Sequence, residues 1–529
     1  MKSSIIKKFK KLIIFFPILI YVGKRSYLAY DEGFYALQAR WILENNNWII
    51  PRWWDGYNLD RTIGIQYLIA KSQSFFGMNS FAAHLPTTLS AFMMLYLTYK
   101  LHEELLGKRE AIFSSLILST TYIWFDFAHQ ATQDMIFACL VCLGIYSLTK
   151  LEKNKNIIFH TLFGIWIGLA FMLKTFLVVV PLIGLIPSIF DKRKTLNYKY
   201  FFIGIGIGFV PFVIWYFAIN QFLEKNILFY LTSKFSSLSS QNTFTNPFYY
   251  YLWNMPLNFL PWSIFSFIGL VANYKLNKYS KNLLCFFPII FLIVISTFST
   301  KTPYYTLPIA SILSINAFSG IKSIIHSNKY KPLFLFFISK ILPLLLISTV
   351  ISYYLVLKTS INLNVHEEFL IILGLFLFTI SLIFTGKVNN PQNILILLIL
   401  GPYLFSSSLI QSGLFTDRSK EMRQSMNRVI DLEDLENNII YVKKSDIVDD
   451  SAHSKIIKIA LLTPRLGKGI DKSSEVEPLG LIWATKSTFE KMDKKSFQLI
   501  FEDKYLNPWI LIKRINKSFD SNDKINKKI

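Results

Sequence analysis

Two adjacent carboxylates, Asp31 and Glu32, open a long polar stretch between apolar runs, YDEGFYALQARWILENNNWIIPRWWDGYNLDRTIGIQY at 30–67. A third acid, Asp134, starts another apolar run in AHQATQDMIFA. Fifteen Asp and Glu precede residue 416, and five of them, Glu103, Glu104, Glu110, Glu152 and Asp191, sit among basic residues where charge-balanced solvation accounts for them. An ionised group at the edge of hydrocarbon is costly, so the acids at the ends of apolar runs are the candidates for chemistry. A carboxylate there can serve as general base on an acceptor hydroxyl, amine or phosphate, while cations neutralise a departing phosphate. Arg61, Lys234 and Lys301 are isolated cations suited to the second task; the plainer reading of each is lipid head-group contact or snorkelling. Together these groups suit glycosyl transfer from a lipid-phosphate donor.

The elements that must position them are membrane spans. The chain has 529 residues, 52% hydrophobic and only 17% charged, with a mean hydropathy of +0.39, which excludes an ordinary soluble domain. The net charge of +23 comes from short Lys and Arg clusters between apolar runs rather than one basic arm, so it reads as membrane topology and not as a nucleic-acid footprint. Runs of about 17 to 25 apolar residues predict about thirteen transmembrane helices. They fall near 12–29, 82–101, 111–127, 133–149, 157–173, 174–190, 200–219, 250–273, 282–299, 303–320, 333–357, 368–386 and 392–412.

Lys108–Arg109, Lys150, Lys153, Lys155, Lys192–Arg193–Lys194, Lys275, Lys278, Lys281, Lys322, Lys329 and Lys331 then mark the inner loops and place the N-terminus inside. Lys7, Lys8, Lys10 and Lys11 precede an apolar run without a small-residue cleavage site, as in an uncleaved first helix. Two long outer loops follow, 30–81 and 220–249, and Asp31, Glu32 and Asp134 are expected at one outer level. In the first loop Phe34, Leu37 and Trp41 share a helical face, with Gln38, Arg40 and Glu44 opposite, which predicts an amphipathic helix on the membrane surface.

Composition changes at about 416. Residues 417–435 read as an amphipathic helix, and NIIYV, KIIKIALL, GLIWA, SFQLIF and PWILIKRI as strands around a helix near 487–493. The expected organisation is a transmembrane domain over 1–415 and a small extracytoplasmic α/β domain over 416–529. Cys139, Cys142 and Cys285 lie inside apolar runs and read as core residues.

The order of motifs carries a resemblance. Asp-Glu after the first span, W-I-I-P-R with G-Y-N, D-R-T-I-G-I-Q-Y-L-I-A, A-T-Q-D-M, N-P-F-Y-Y-Y-L, F-L-P-W-S and K-T-P-Y-Y-T-L-P resemble, over roughly 28–320, the GT-C glycosyltransferases, in the bacterial branch that joins ArnT with protein O-mannosyltransferases. The resemblance implies a GT-C fold and an inverting glycosyltransferase of the cytoplasmic membrane. Its donor is a polyprenyl-phosphate sugar and its acceptor a lipid, protein or glycan. It puts the catalytic aspartate on Asp31, with Glu32 beside it, and the second acid on Asp134. The family's Glu-Lys-Pro-Pro run, whose lysine meets the lipid phosphate, falls on Asp60-Arg61-Thr62-Ile63, and its Lys-x-Pro-x-Tyr on Lys301, Pro303 and Tyr305. Arginine in place of lysine changes a point charge into a planar fork. His129 stands where the family often has arginine, and Phe244 where it often has histidine. The second change weakens the case for a divalent cation, for which Asp60 and His129 are the remaining candidates. A flippase for a lipid-linked saccharide could use the same carboxylates, and an assembly subunit would need none of them.

Overall fold

The computed structural model describes residues 13–54, 56–59, 61–152, 156–224, 226–240, 245–358, 363–433, 435, 437–447 and 450–515. Contacts divide the chain into two units. One comprises Met1–Lys24, Leu59–Ile65 and His84–Thr416; the other comprises Arg25–Asn58, Gln66–Ala83 and Asp417–Ile529. The elements used below are α1 (Phe34–Glu44), α2 (Ser80–Leu105), α3 (Gln133–Thr149), α4 (Ile157–Lys174), α5 (Val179–Lys192), α6 (Tyr198–Leu223), α7 (Ala310–Ile325), α8 (Pro391–Gln411) and α9 (Asp450–Leu462). Five strands complete the set: β1 (Ile440–Lys443), β2 (Leu466–Ile470), β3 (Leu481–Thr485), β4 (Phe497–Phe501) and β5 (Trp509–Arg514).

The first unit is helical, and the chain is a multi-pass membrane protein. Among the described residues seven helices are long and apolar enough to cross a membrane, or eight if Tyr250–Asn258 and Ser263–Asn273, bent by 106°, form one span. The expected thirteen are not reached on that measure, for visible reasons. The run at 111–127 divides into Ala111–Ser119 and Tyr122–Phe127, α3 has 17 residues, and α2 carries Pro86 together with a charged end. In the run at 12–29 the described helix covers only 13–19. The runs at 157–173 and 174–190 pass as one stretch of 36 residues, yet the chain turns back within it. Thr175 takes φ 48°, Lys192 at the far end bonds the carbonyls of Thr149 and Leu151, and the Asn197 N–H donates to His160 Nδ1 near the start of α4.

Backbones approach closely where α4 packs on α6. A Cβ added to Gly168 would meet the Gly208 backbone, and one added to Gly204 the Thr161 carbonyl. Such seams of small residues hold helices together where lipid supplies no hydrophobic drive between them.

In the second unit the strand order is β2-β1-β3-β5-β4, with β1 parallel to β2 and β3, and β5 antiparallel to β3 and β4. Strand alternation divides the apolar residues between the two faces: Leu481 and Trp483 join Met426, Ile456 and Trp509 on one side, Ile482 and Ala484 join Ile470 and Ile512 on the other. KIIKIALL, expected as a strand, is the second half of α9. Ala452, Ile456, Ile459 and Ala460 recur at helical spacing and are buried, and over so short an apolar run this period is hard to separate from a strand's.

Helix α1 also departs from expectation, because Gln38 and Arg40 are buried in the second unit, with Glu44 exposed. Gln38 pairs with Gln66 at 2.8 Å. The Arg40 guanidinium donates to Glu44 and to the carbonyls of Ala460, Thr463 and Pro464 at the end of α9. A cation there satisfies carbonyls that a helix end leaves unpaired and opposes the negative end of its dipole, so a face that looked solvent-directed is an internal joint.

Candidate active site

Asp134 and Lys174 come together in the helical unit. Asp134 lies in the first turn of α3 and Lys174 is the last residue of α4, so each charge sits at the helix end whose dipole favours it. Both side chains are buried, and the Lys174 ammonium donates to Asp134 Oδ1. Tyr304 and Tyr305 roof the ammonium, their ring centres 4.9 and 5.5 Å from Nζ, with Phe137 at 5.8 Å. The crevice around the pair is otherwise lined by Leu177, Val180, Pro181, Phe291, Ile295 and Pro308 and has a volume of about 20 Å³, room for about one water. Burying two charges among apolar side chains costs more than packing hydrophobic residues there, so the pair adds little to stability beyond what such residues would give. Its place at the end of membrane helices makes it a candidate functional site.

The Arg61 segment reaches the same helix end. Thr62 donates its hydroxyl to the Met172 carbonyl at 2.6 Å, two residues before Lys174, and a Cβ on Gly64 would collide with that carbonyl oxygen. Arg61 is half-buried in this unit; Asp60 lies outside the described residues. Tyr305, expected as a phosphate contact, is the roof over Lys174. Lys301, four residues earlier, donates to the carbonyls of Asn246 at 2.8 Å and Phe298 at 2.5 Å, while Asn246 returns a bond to the Lys301 carbonyl. Two of its three ammonium donors therefore tie loops together. Burial holds its pKa below the usual lysine value. His129 is buried edge-on to Phe125, ring centres 5.9 Å apart. Lys234 lies in the helix Ile227–Ser240, and its side chain lies outside the described residues.

Asp31 and Glu32 belong to the other unit, where they divide the work of their segment. Glu32 is buried and accepts the Leu28 N–H at 2.7 Å, closing the turn at Ala29–Gly33. Burial of Tyr27 and, to a lesser degree, the Glu32 charge raise the Tyr27 hydroxyl pKa above the usual tyrosine value. Asp31 is exposed and has φ 55° and ψ −74°, a conformation non-glycine residues rarely adopt. Such strain persists only where the surroundings enforce it. Here Gly33 lies against the Leu28 carbonyl and Ile457 of α9. Nearby, Ser26 donates to Asp417 at 2.6 Å while Arg423 grips the same carboxylate.

Residues 60–216 match the model of the dolichyl-phosphate-mannose-protein mannosyltransferase family. An undecaprenyl phosphate-alpha-4-amino-4-deoxy-L-arabinose arabinosyl transferase of Proteus mirabilis is 25% identical over 319 residues, 56% of each chain. Its counterpart in Wigglesworthia glossinidia brevipalpis is 26% identical over 345 residues, 61% of this chain and 60% of that one. The chain thus spans under two thirds of the length of these relatives. The crystal structure of ArnT from Cupriavidus metallidurans bound to undecaprenyl phosphate superimposes with a TM-score of 0.75 over 98% of each chain, at 14% identity. The chain has the GT-C fold. It shares that fold with ArnT from Cupriavidus metallidurans.

Within this GT-C fold, Lys174 is the site residue that sequence reasoning missed. A lysine between two apolar runs is a strong signal. It was hidden by drawing the span boundary between 173 and 174. Among the described residues no three His, Cys, Asp or Glu side chains gather as metal ligands.

Proposed function

We propose that the chain is an inverting glycosyltransferase that takes a sugar from a polyprenyl-phosphate carrier at the outer face of the cytoplasmic membrane and passes it to a lipid, protein or glycan acceptor. The observation that carries this reading is the Lys174–Asp134 pair roofed by Tyr304 and Tyr305. A buried ammonium beside an apolar crevice can receive the oxygens of a lipid phosphate as negative charge develops on them, with Asp134 holding it in place. Arg61, on the segment fastened to Met172, and the remaining donor of Lys301 suit the same phosphate. The acceptor oxygen bonds the anomeric carbon as the bond from that carbon to the phosphate oxygen breaks, and the carrier phosphate leaves with the electron pair. The acceptor proton needs a base, and the resemblance gives that part to Asp31, an exposed carboxylate on a strained backbone. The basic loop clusters support a cytoplasmic N-terminus and a periplasmic 416–529 segment.

The flippase reading draws no support from these features: it calls for charge deep inside several spans, whereas Asp134 and Lys174 stand at helix ends. The test is transfer of radiolabelled sugar from a polyprenyl-phosphate donor by the purified chain in detergent. Lys174→Met should reduce it by about 100-fold or more, and unchanged turnover by that variant removes this reading of the site.

A further inference from the structure

A second concavity, of about 540 Å³, opens where the turn after α2 meets the C-terminal end of α7 and the N-terminal end of α8. Its polar wall presents Lys108, Arg109, Lys322 and His326, and its apolar part consists of Leu106, Ile325 and Leu395. The one carboxylate in the wall, Glu110, is already paired with Lys322. The Lys108 and Arg109 side chains are exposed and have neither an ion pair nor a hydrogen bond among the described residues.

Other loop cations of this unit are spent differently. Lys150 is held by Glu104, Lys278 by Asp191, and Lys192 by the carbonyls of Thr149 and Leu151. The third wall adds charge of the same sign. Helix α8 runs 21 residues from Pro391, and its first-turn N–H groups give that end a partial positive charge, of which the Asn390 side chain satisfies only the Gln392 N–H. Two uncommitted cations, a helix N-terminus and an apolar floor at the ends of two spans match one ligand shape: a phosphate with hydrocarbon attached.

We infer that this cavity binds the phosphate of an anionic phospholipid, held by Lys108, Arg109 and the first turn of α8, with the acyl chains lying along α7 and α8. Basic pockets between transmembrane helices recognise lipid head groups in this way. The site is separate from the Lys174–Asp134 crevice and does not depend on the function proposed above.

Native mass spectrometry of the full chain in detergent, with dioleoyl phosphatidylglycerol or dioleoyl phosphatidylcholine and no sugar donor, tests it. The wild type should retain phosphatidylglycerol in preference to phosphatidylcholine. The double variant Lys108→Gln/Arg109→Gln should bind it roughly tenfold or more weakly. The charge-preserving Lys108→Arg/Arg109→Lys variant should keep most of the affinity, and Lys278→Gln, which alters another basic loop, should change nothing. Equal retention by wild type and the double variant, or no preference between the lipids, overturns the inference. Displacement of phosphatidylglycerol by millimolar inorganic phosphate would show a free-anion site and overturn the lipid assignment. Because no donor is present, loss of lipid binding and loss of transfer are separate results.

Discussion

The Thr62 hydroxyl bonds the Met172 carbonyl, two residues before the lysine that pairs with Asp134. A segment far away in sequence is thereby fixed to the helix end that carries the buried cation, with Arg61 immediately before it. Thr62→Val should cost about 1 kcal/mol of stability through the lost bond. It should raise the donor KM more than it lowers kcat. Steady-state transfer kinetics at varied donor concentration, with thermal unfolding alongside, check both. Gly64→Ala should be worse, since its methyl meets the Met172 carbonyl oxygen.

Removing one partner of the Asp134–Lys174 pair leaves a buried charge uncompensated. Lys174→Met or Asp134→Asn should each destabilise the chain by roughly 3–5 kcal/mol at most, and Lys174→Met/Asp134→Leu should recover much of that. The double variant should still transfer no sugar. Thermal unfolding in detergent, set beside turnover, separates a cation needed for chemistry from one needed for packing.

Asp31 pairs an exposed carboxylate with a left-handed backbone. Asp31→Asn keeps the size and tolerance of that backbone and should lower kcat by about 10²–10⁴ with little change in unfolding temperature. Asp31→Gly relieves strain of about 1–3 kcal/mol and should be more stable and equally inactive. An Asp31→Gly variant less stable than wild type would show that the side chain supports the turn.

Burial lowers the Lys301 pKa, so the unfolded chain holds that proton to higher pH than the folded one. The stability penalty is complete below the folded pKa and fades as pH rises through it toward the ordinary value of 10.5. Wild-type stability relative to Lys301→Gln should therefore increase as pH rises toward 10.5, measured by denaturant or thermal unfolding at each pH. A flat or falling difference contradicts the assignment.

Several parts of the fold and site were legible in the sequence because each rests on a local signal. The strands at 481–485 and 509–514 are short, continuous apolar runs rich in isoleucine and tryptophan, and Asp134 marks a polar start to an apolar run. Other features depend on partners that no local pattern reveals. Lys174 vanished at a boundary because the return of the chain at Thr175 uses no glycine or proline. Arg40 looked solvated because its three carbonyl acceptors lie more than 400 residues away. The conformation of Asp31 has no sequence signature, since non-glycine residues reach it only when neighbours compel them.

Arg40 also sets a schedule. Its acceptors at 460, 463 and 464 emerge from the ribosome only after some four hundred intervening residues have been made, most of them bound for the bilayer. Until then helix α1 carries a guanidinium with only Glu44 of its own helix to hold it, and the stretch that holds Asp31 lacks its abutment on α9. Biogenesis therefore withholds a settled Asp31 until the end of synthesis, and a chain halted early would insert its spans with that aspartate still unmoored.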